Sequence, residues 1–225
     1  MLQIMGQACD IQIRDHVGPA WGCYGEIFAL KEGEPAPLAG KIGIIGIFDA
    51  ADQPDALGDH TENSDDTITG GVYLDPIFEN GGDYYSNPTL SVSQTLSHEI
   101  MEMKGNPFVN SYWQMPNEKN ALTPQELSDA VEADSYQITI LGEPVQVSNF
   151  IYPAWGDPYK DDGQPTDYLD HLNGEPLKMS AGGYLNLMSP SGDWTQIFGK
   201  EMPEWKREQK KQKLANKIGR LYRNI

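Results

Sequence analysis

Apolar and polar positions along the chain fall into short stretches of differing period. Residues 42–49, "IGIIGIFD", form a nearly continuous β-branched apolar run, and this predicts a buried central strand. Gly40, Gly43 and Gly46 are spaced G-x-x-G-x-x-G, and no helical pattern follows directly, so no phosphate-binding loop is read there. "GEIFAL" (25–30) and "GGVYLDP" (70–76) read as further strands, and "VSNFIYPAW" (147–155) as a strand entering a Pro/Gly loop. In 7–17, "QACDIQIRDHV", Ile11 and Ile13 alternate as in a strand while Ala8, Ile11 and Asp15 fit a helix, and the pattern leaves both open. "EGEPAPLAGK" and "ENGGDYYSNP" read as turn-rich connections.

Three segments have helical period. Residues 89–104 place Val92, Thr95, Leu96 and Met103 on one stripe, with Gly105 in position to cap the helix and Pro107 to stop it. "TPQE" predicts the start of a second helix, with Thr123 as N-cap, Pro124 in the first turn and Glu126 completing a capping box, and an end near Ala133. "GGYLNLMSPSGDWTQIF" (182–198) predicts a hairpin turning at Ser191-Gly192. Pro203 then opens a basic helix to about Tyr222, with Leu214, Ile218, Leu221 and Tyr222 along one stripe.

Charge divides the chain in two. Of its 225 residues, 200–225 hold nine Lys/Arg against three acids, while the rest holds seven against 30. An acidic body opposes nucleic acid and anionic membrane, and the basic tail suits an acidic protein surface, the chain's own body included. Residues 49–66 carry seven acids and no Lys or Arg, yet neither they nor "DPYKDDG" (157–163) follow the calcium-loop pattern, so both read as solvated loops. The chain has no apolar run of membrane-spanning length and its N-terminus lacks the regions of a secretory signal, so neither is expected. Cys9 and Cys23 do not make a disulfide framework and read as reduced thiols.

The chemistry concentrates in "TLSHEIMEMKGNP" (95–107). His98-Glu99-Ile100-Met101-Glu102 differs from the zinc-hydrolase motif H-E-x-x-H only in the final residue. On a helix, His98 and Glu102 lie one turn apart on one face, and zinc accepts both imidazole nitrogen and carboxylate oxygen. In H-E-x-x-H enzymes the glutamate at the position of Glu99 is the general base. A third ligand is needed. Asp129 and Glu126 are the leading candidates, because an aspartate in mid-helix has no local reason to be there while Glu126 has a competing role in the capping box. His60 and His171 are the other possible nitrogen donors. Taken alone, Glu126 and Asp129 fit an exposed, well-capped helix, and His16, His60 and His171 fit hydrogen-bonded loop histidines.

The stretches "FDAADQPDALGDH", "SHEIMEMKGNPFVN", "QELSDAVEADSY", "NFIYPAW" and "GGYL" together resemble a family of H-E-x-x-E proteins of bacteriophages and bacteria described as metallopeptidases. Part of the pattern is also similar to the plant Exordium-like proteins. The resemblance covers about Asp49–Leu185, and its E-x-x-D falls on Glu126 and Asp129. Asp59 stands where an aromatic residue is frequent in that family and Asn106 where Asp is frequent, and the basic tail lies outside the match.

The expectation is therefore an α+β, zincin-like domain over residues 1–199, with a mixed sheet, an active-site helix and a second helix, followed by a basic amphipathic helical tail over 200–225. The metal would be Zn2+ held by His98, Glu102 and Asp129 or Glu126, with Glu99 as general base acting on a peptide or protein substrate. The alternative is a non-catalytic virion structural or assembly protein that keeps the fold and attaches to other virion proteins through its tail. A third reading is an acidic binding protein without a metal. The expected location is host cytoplasm or virion, without membrane or nucleic-acid contact.

Overall fold

The N-terminal ambiguity resolves as helix. α1 (Leu2–Ile11) continues through a π-helical stretch (Gln12–Val17) into the short α2 (Gly18–Trp21). Met5, Cys9, Ile13 and Val17, four apart, are buried on one face. In this computed structural model residues 1–35, 43–50, 56–63 and 67–221 are described, except for the side chains of residue 213 and of residues 216–221.

Residues 25–30 are extended and alternate in exposure, but they form no strand. They run beside α1, which has no open backbone edge to pair with, and Ile27 N–H instead donates to Asp10 Oδ1 at 3.1 Å. β1 (Gly43–Phe48), β2 (Gly58–Glu62) and β3 (Ile68–Tyr73) make a mixed sheet with β3 in the middle, parallel to β1 and antiparallel to β2. The apolar run 42–49 is thus an edge strand rather than a central one. Ile45 and Ile47 face the core, whereas Ile44 and Phe48 are 58% and 52% exposed. Continuous hydrophobicity did not distinguish the two positions. Part of the acidic stretch forms β2; Asp52, Asp55, Asp65 and Asp66 lie outside the described residues, as does part of the connection 32–41. β3 leads directly into α3 (Leu74–Glu79).

α4 (Val92–Gly105) is the centre of the molecule. It starts at Ser91, whose hydroxyl accepts the Gln94 N–H at 3.2 Å, rather than at residue 89. Gly105 is the last helical residue, not a left-handed cap; Asn106, with φ −148°, ends the helix. From Val92 to Glu102 every residue except Thr95 is buried. That burial needs internal partners for the polar side chains. Ser93 Oγ donates to Gln146 O (2.6 Å), Ser97 Oγ accepts from Ser148 N–H (2.7 Å), and Gln94 Nε2 donates to Glu132 O (3.3 Å).

The expected second helix is absent. Ala121–Pro124 is strand β5, paired antiparallel with β4 (Tyr112–Met115), so that Thr123 faces Trp113 and Pro124 faces Tyr112. Only one 3-10 turn, Asp129–Val131, follows. Leu127, Ala130 and Val131 are fully buried, so this segment has no solvent face on which an amphipathic helix could rest. β6 (Ser135–Ile140) and β7 (Glu143–Ser148) form a hairpin, with β7 against α4. β8 (Tyr184–Met188) and β9 (Trp194–Phe198) form the expected 182–198 hairpin, with Gly192 at φ +89° in the turn. Leu122 pairs with Met188, joining this hairpin to β5 in a four-stranded sheet. α5 (Glu204–Leu221) closes the described chain.

Among the described residues no helix is long and apolar enough to cross a membrane. Cys9 and Cys23 are both free thiols.

Candidate metal centre

The buried face of α4 brings His98 and Glu102 together, with His98 Nε2 3.0 Å from Glu102 Oε1. The 3-10 turn supplies Asp129, whose Oδ1 lies 3.4 Å from the same ring nitrogen. The second distance matches the edge of a tetrahedral shell with bonds of about 2.0–2.1 Å, roughly 3.4 Å, and the first is shorter, at ion-pair length. β2 supplies His60 from the opposite side. Its Nδ1–H donates to Glu99 Oε2 at 2.9 Å and lies 3.7 Å from Glu102 Oε2.

Two groups of donor atoms converge to within 4.8 Å: His98, Glu102 and Asp129, and His60, Glu102 and Glu126. Glu102 belongs to both. Asp129 and Glu126, read from the sequence as neighbours on one helix, thus reach the site from irregular backbone and join different groups. His171 does not come to the site. It pairs with Asp134 at 3.2 Å and is half exposed. His60, named from the sequence as a possible nitrogen donor but read first as a loop histidine, brings its side chain, 7% exposed, into the site. Asn106 is no ligand: its Oδ1 accepts from the N–H groups of Asn110 and Ser111, which fixes the turn after α4.

Two glycines permit these approaches. At Gly58 a Cβ would press on Thr95 Cγ2 at 2.8 Å and Glu99 Oε1 at 3.0 Å, so β2 lies this close to α4 only without one. At Gly183 a Cβ would collide with the Ala130 carbonyl, so β8 needs glycine to pass against the turn carrying Asp129. The next residue, Tyr184, is buried beside this turn, and the Asp129 carboxylate acts on its phenol. The "ALGDH" and "GGY" stretches held these signals, but only as motifs without a stated role.

The electrostatics suit a cation. Glu99, Glu102, Glu126 and Asp129 are all at most 7% exposed, so four buried carboxyl groups surround two imidazoles. Burial works against charge on His98, but Glu102, Asp129 and Glu99 outweigh it and hold its pKa well above the ordinary value. Burial, reinforced by Asp129, pushes the Glu102 carboxyl up to about 7. Burial and the carboxylates of Asp129, Glu132 and Glu102 raise the Tyr184 phenol as well. Glu102 Oε1 accepts no aligned hydrogen bond among the described residues although His98 Nε2 is 3.0 Å away. The two atoms form an ion-pair contact, and the same nitrogen and oxygen are close enough to share one cation. The imidazole-and-carboxylate donor set fits zinc.

Comparison with protein-family models, with curated proteins and with solved structures finds no match for this chain.

Proposed function

We propose that this chain is a zincin-like metal-dependent peptidase, with zinc held by His98, Glu102 and Asp129. The observation that carries the reading is the convergence of these three donors beside Glu99, a carboxylate oriented by His60 at 2.9 Å. A bound zinc ion would supply Lewis acidity toward a peptide carbonyl and lower the pKa of a coordinated water. The chain supplies the rest. Glu99 accepts the proton of the attacking water and returns it to the leaving amine. His60 holds the Glu99 carboxylate in place. Tyr184 packs beside Asp129 and walls the centre on that side. The buried walls keep bulk water from the reacting centre.

The test is metal content by elemental mass spectrometry on wild type, His98→Ala and Glu99→Gln, followed by a peptide-library digest. The expected result is one equivalent of zinc in wild type and Glu99→Gln, none in His98→Ala, and cleavage by wild type alone. Absence of metal from zinc-supplemented wild type overturns the reading.

One observation favours a second reading, a non-catalytic virion structural or assembly protein with a structural metal. Lys206, Gln209 and Lys210 of α5 lie across the cleft beside His98 and Glu99. On that reading Glu99→Gln alters stability only, and no peptide in the library is cut under any condition.

A further inference from the structure

α5 docks on the body through the wrong kind of face. The side chains buried at i, i+3 and i+4 are Lys206, Gln209 and Lys210, positions where a docked helix ordinarily carries apolar residues. The apolar stripe expected from the sequence is not what holds the described part of the helix; Leu214 is only half-buried, the Ile218 and Leu221 side chains are not described, and Tyr222 lies outside the described residues.

Both lysines converge on one carboxylate. Glu132 Oε1 lies 2.9 Å from Lys210 Nζ and 3.8 Å from Lys206 Nζ, and all three side chains are at most 11% exposed. Lys210 Nζ also sits 4.3 Å from the centroid of the Tyr184 ring. Lys206, Gln209, Lys210 and Glu132 line the same cleft as His98, Glu99, Gln94 and Thr95. Burying two ammonium groups is costly unless the surroundings are built to receive cations, and a carboxylate beside an aromatic face is such a receptor. Burial opposes the charge on Glu132, but the two lysines outweigh it and hold its pKa low. Glu132 Oε2 accepts no hydrogen bond among the described residues, so a guanidinium with two parallel donors would use the carboxylate more fully than an ammonium does.

We propose that Glu132 and the Tyr184 ring form a subsite for a basic side chain, lysine or arginine, of a peptide ligand, and that α5 fills this subsite with the chain's own lysines. The use of the subsite in cleavage rests on the peptidase reading; the binding does not.

The experiment keeps the full chain. Lys206→Met/Lys210→Met removes both ammonium groups from the subsite without shortening the helix. The probe is a fluorescein-labelled peptide copying residues 203–221, followed by anisotropy, with a second probe in which the positions of Lys206 and Lys210 carry methionine. The lysine probe is expected to bind the double variant about tenfold tighter than wild type, and the methionine probe about tenfold more weakly than the lysine probe. Adding Glu132→Gln should abolish the difference between probes. Equal binding of the two probes, or no gain over wild type, overturns the proposal.

Should the double variant not fold, amide exchange of residues 204–215 in wild type gives the same answer. An acetylated, amidated Ala-Ala-Arg-Ala-Ala peptide should speed exchange there about fivefold by displacing the lysines, and the peptide with norleucine for arginine should not. Equal exchange with both peptides overturns the proposal. Both measurements are made with zinc and after chelator treatment. Selective binding by protein that never takes up zinc sinks the peptidase reading and leaves the subsite standing; zinc uptake without selective binding does the reverse.

Discussion

His60 on β2 and Glu99 on α4 meet at 2.9 Å, nitrogen to carboxylate oxygen, with both side chains at most 7% exposed. The contact ties the edge of the mixed sheet to the central helix at the residue proposed as general base. His60→Ala removes the donor and leaves a buried carboxylate to be re-solvated. A stability loss of about 1–3 kcal/mol is expected in urea unfolding. Zinc stoichiometry should stay at one equivalent, because His98, Glu102 and Asp129 are untouched, while kcat falls with little change in KM. Loss of the metal in His60→Ala would move the ion to the group formed by His60, Glu102 and Glu126.

The metal-free protein should become less stable as pH rises through the range where Glu102 titrates. Its carboxyl is pushed up from 4.5 to about 7, so between those values the native state holds a proton that the unfolded chain has released. A raised pKa gives stability that is complete below the unfolded value and lost as pH climbs through the folded one. The loss is on the order of 3 kcal/mol for a shift of this size. His98, also raised, acts with the same sign at higher pH. Thermal melts between pH 4.5 and 8 in chelator should show a falling Tm, and zinc should flatten the curve by replacing the protons. A Tm that rises across this range in chelator would contradict the assignment of Glu102.

Gly183→Ala tests whether the turn carrying Asp129 depends on close approach of β8. The added methyl would collide with the Ala130 carbonyl, a backbone group that cannot rotate away, so the turn or the strand must shift. Destabilisation of about 1–3 kcal/mol is expected. The telling readout is zinc affinity, which should fall although no ligand has been changed. Unaltered affinity at reduced stability would mean that the turn moves as a rigid unit with the strand.

How far the sequence carried this site depends on which residues were local to one another. His98, Glu99 and Glu102 were legible because helical period alone fixes their relation, and Val92 to Gly105 holds that period. Asp129 was legible as a candidate only through a wrong structure: the capping-box pattern at Thr123–Glu126 is real, but pairing of β5 with β4 satisfied that backbone first. His60 could not be found by spacing, because it arrives from another strand through sheet register. β1 was misplaced for a related reason, since an apolar run reports contact with a core and not rank within a sheet. The docking of α5 was hidden because a buried lysine pair looks the same in sequence as a solvated basic face.

Tyr184 connects the centre to the four-stranded sheet, and its removal separates positioning from ligation. The phenol lies within the electrostatic reach of the Asp129 carboxylate, and the ring is buried beneath Lys210. Tyr184→Phe keeps the ring and its contact with the ammonium while deleting only the hydroxyl. An outer partner of this kind typically contributes about 10- to 100-fold in metal affinity. Zinc affinity, measured by competition with a chromophoric chelator, should therefore fall by about that factor, while the folded protein remains intact by circular dichroism. Asp129→Asn should cost more, because it changes the ligand itself. If Tyr184→Phe and wild type bind zinc equally while Asp129→Asn does not, Asp129 is held by its turn alone and the phenol serves packing. If neither variant alters affinity, Asp129 is not a ligand, and Glu126 takes its place in the reading.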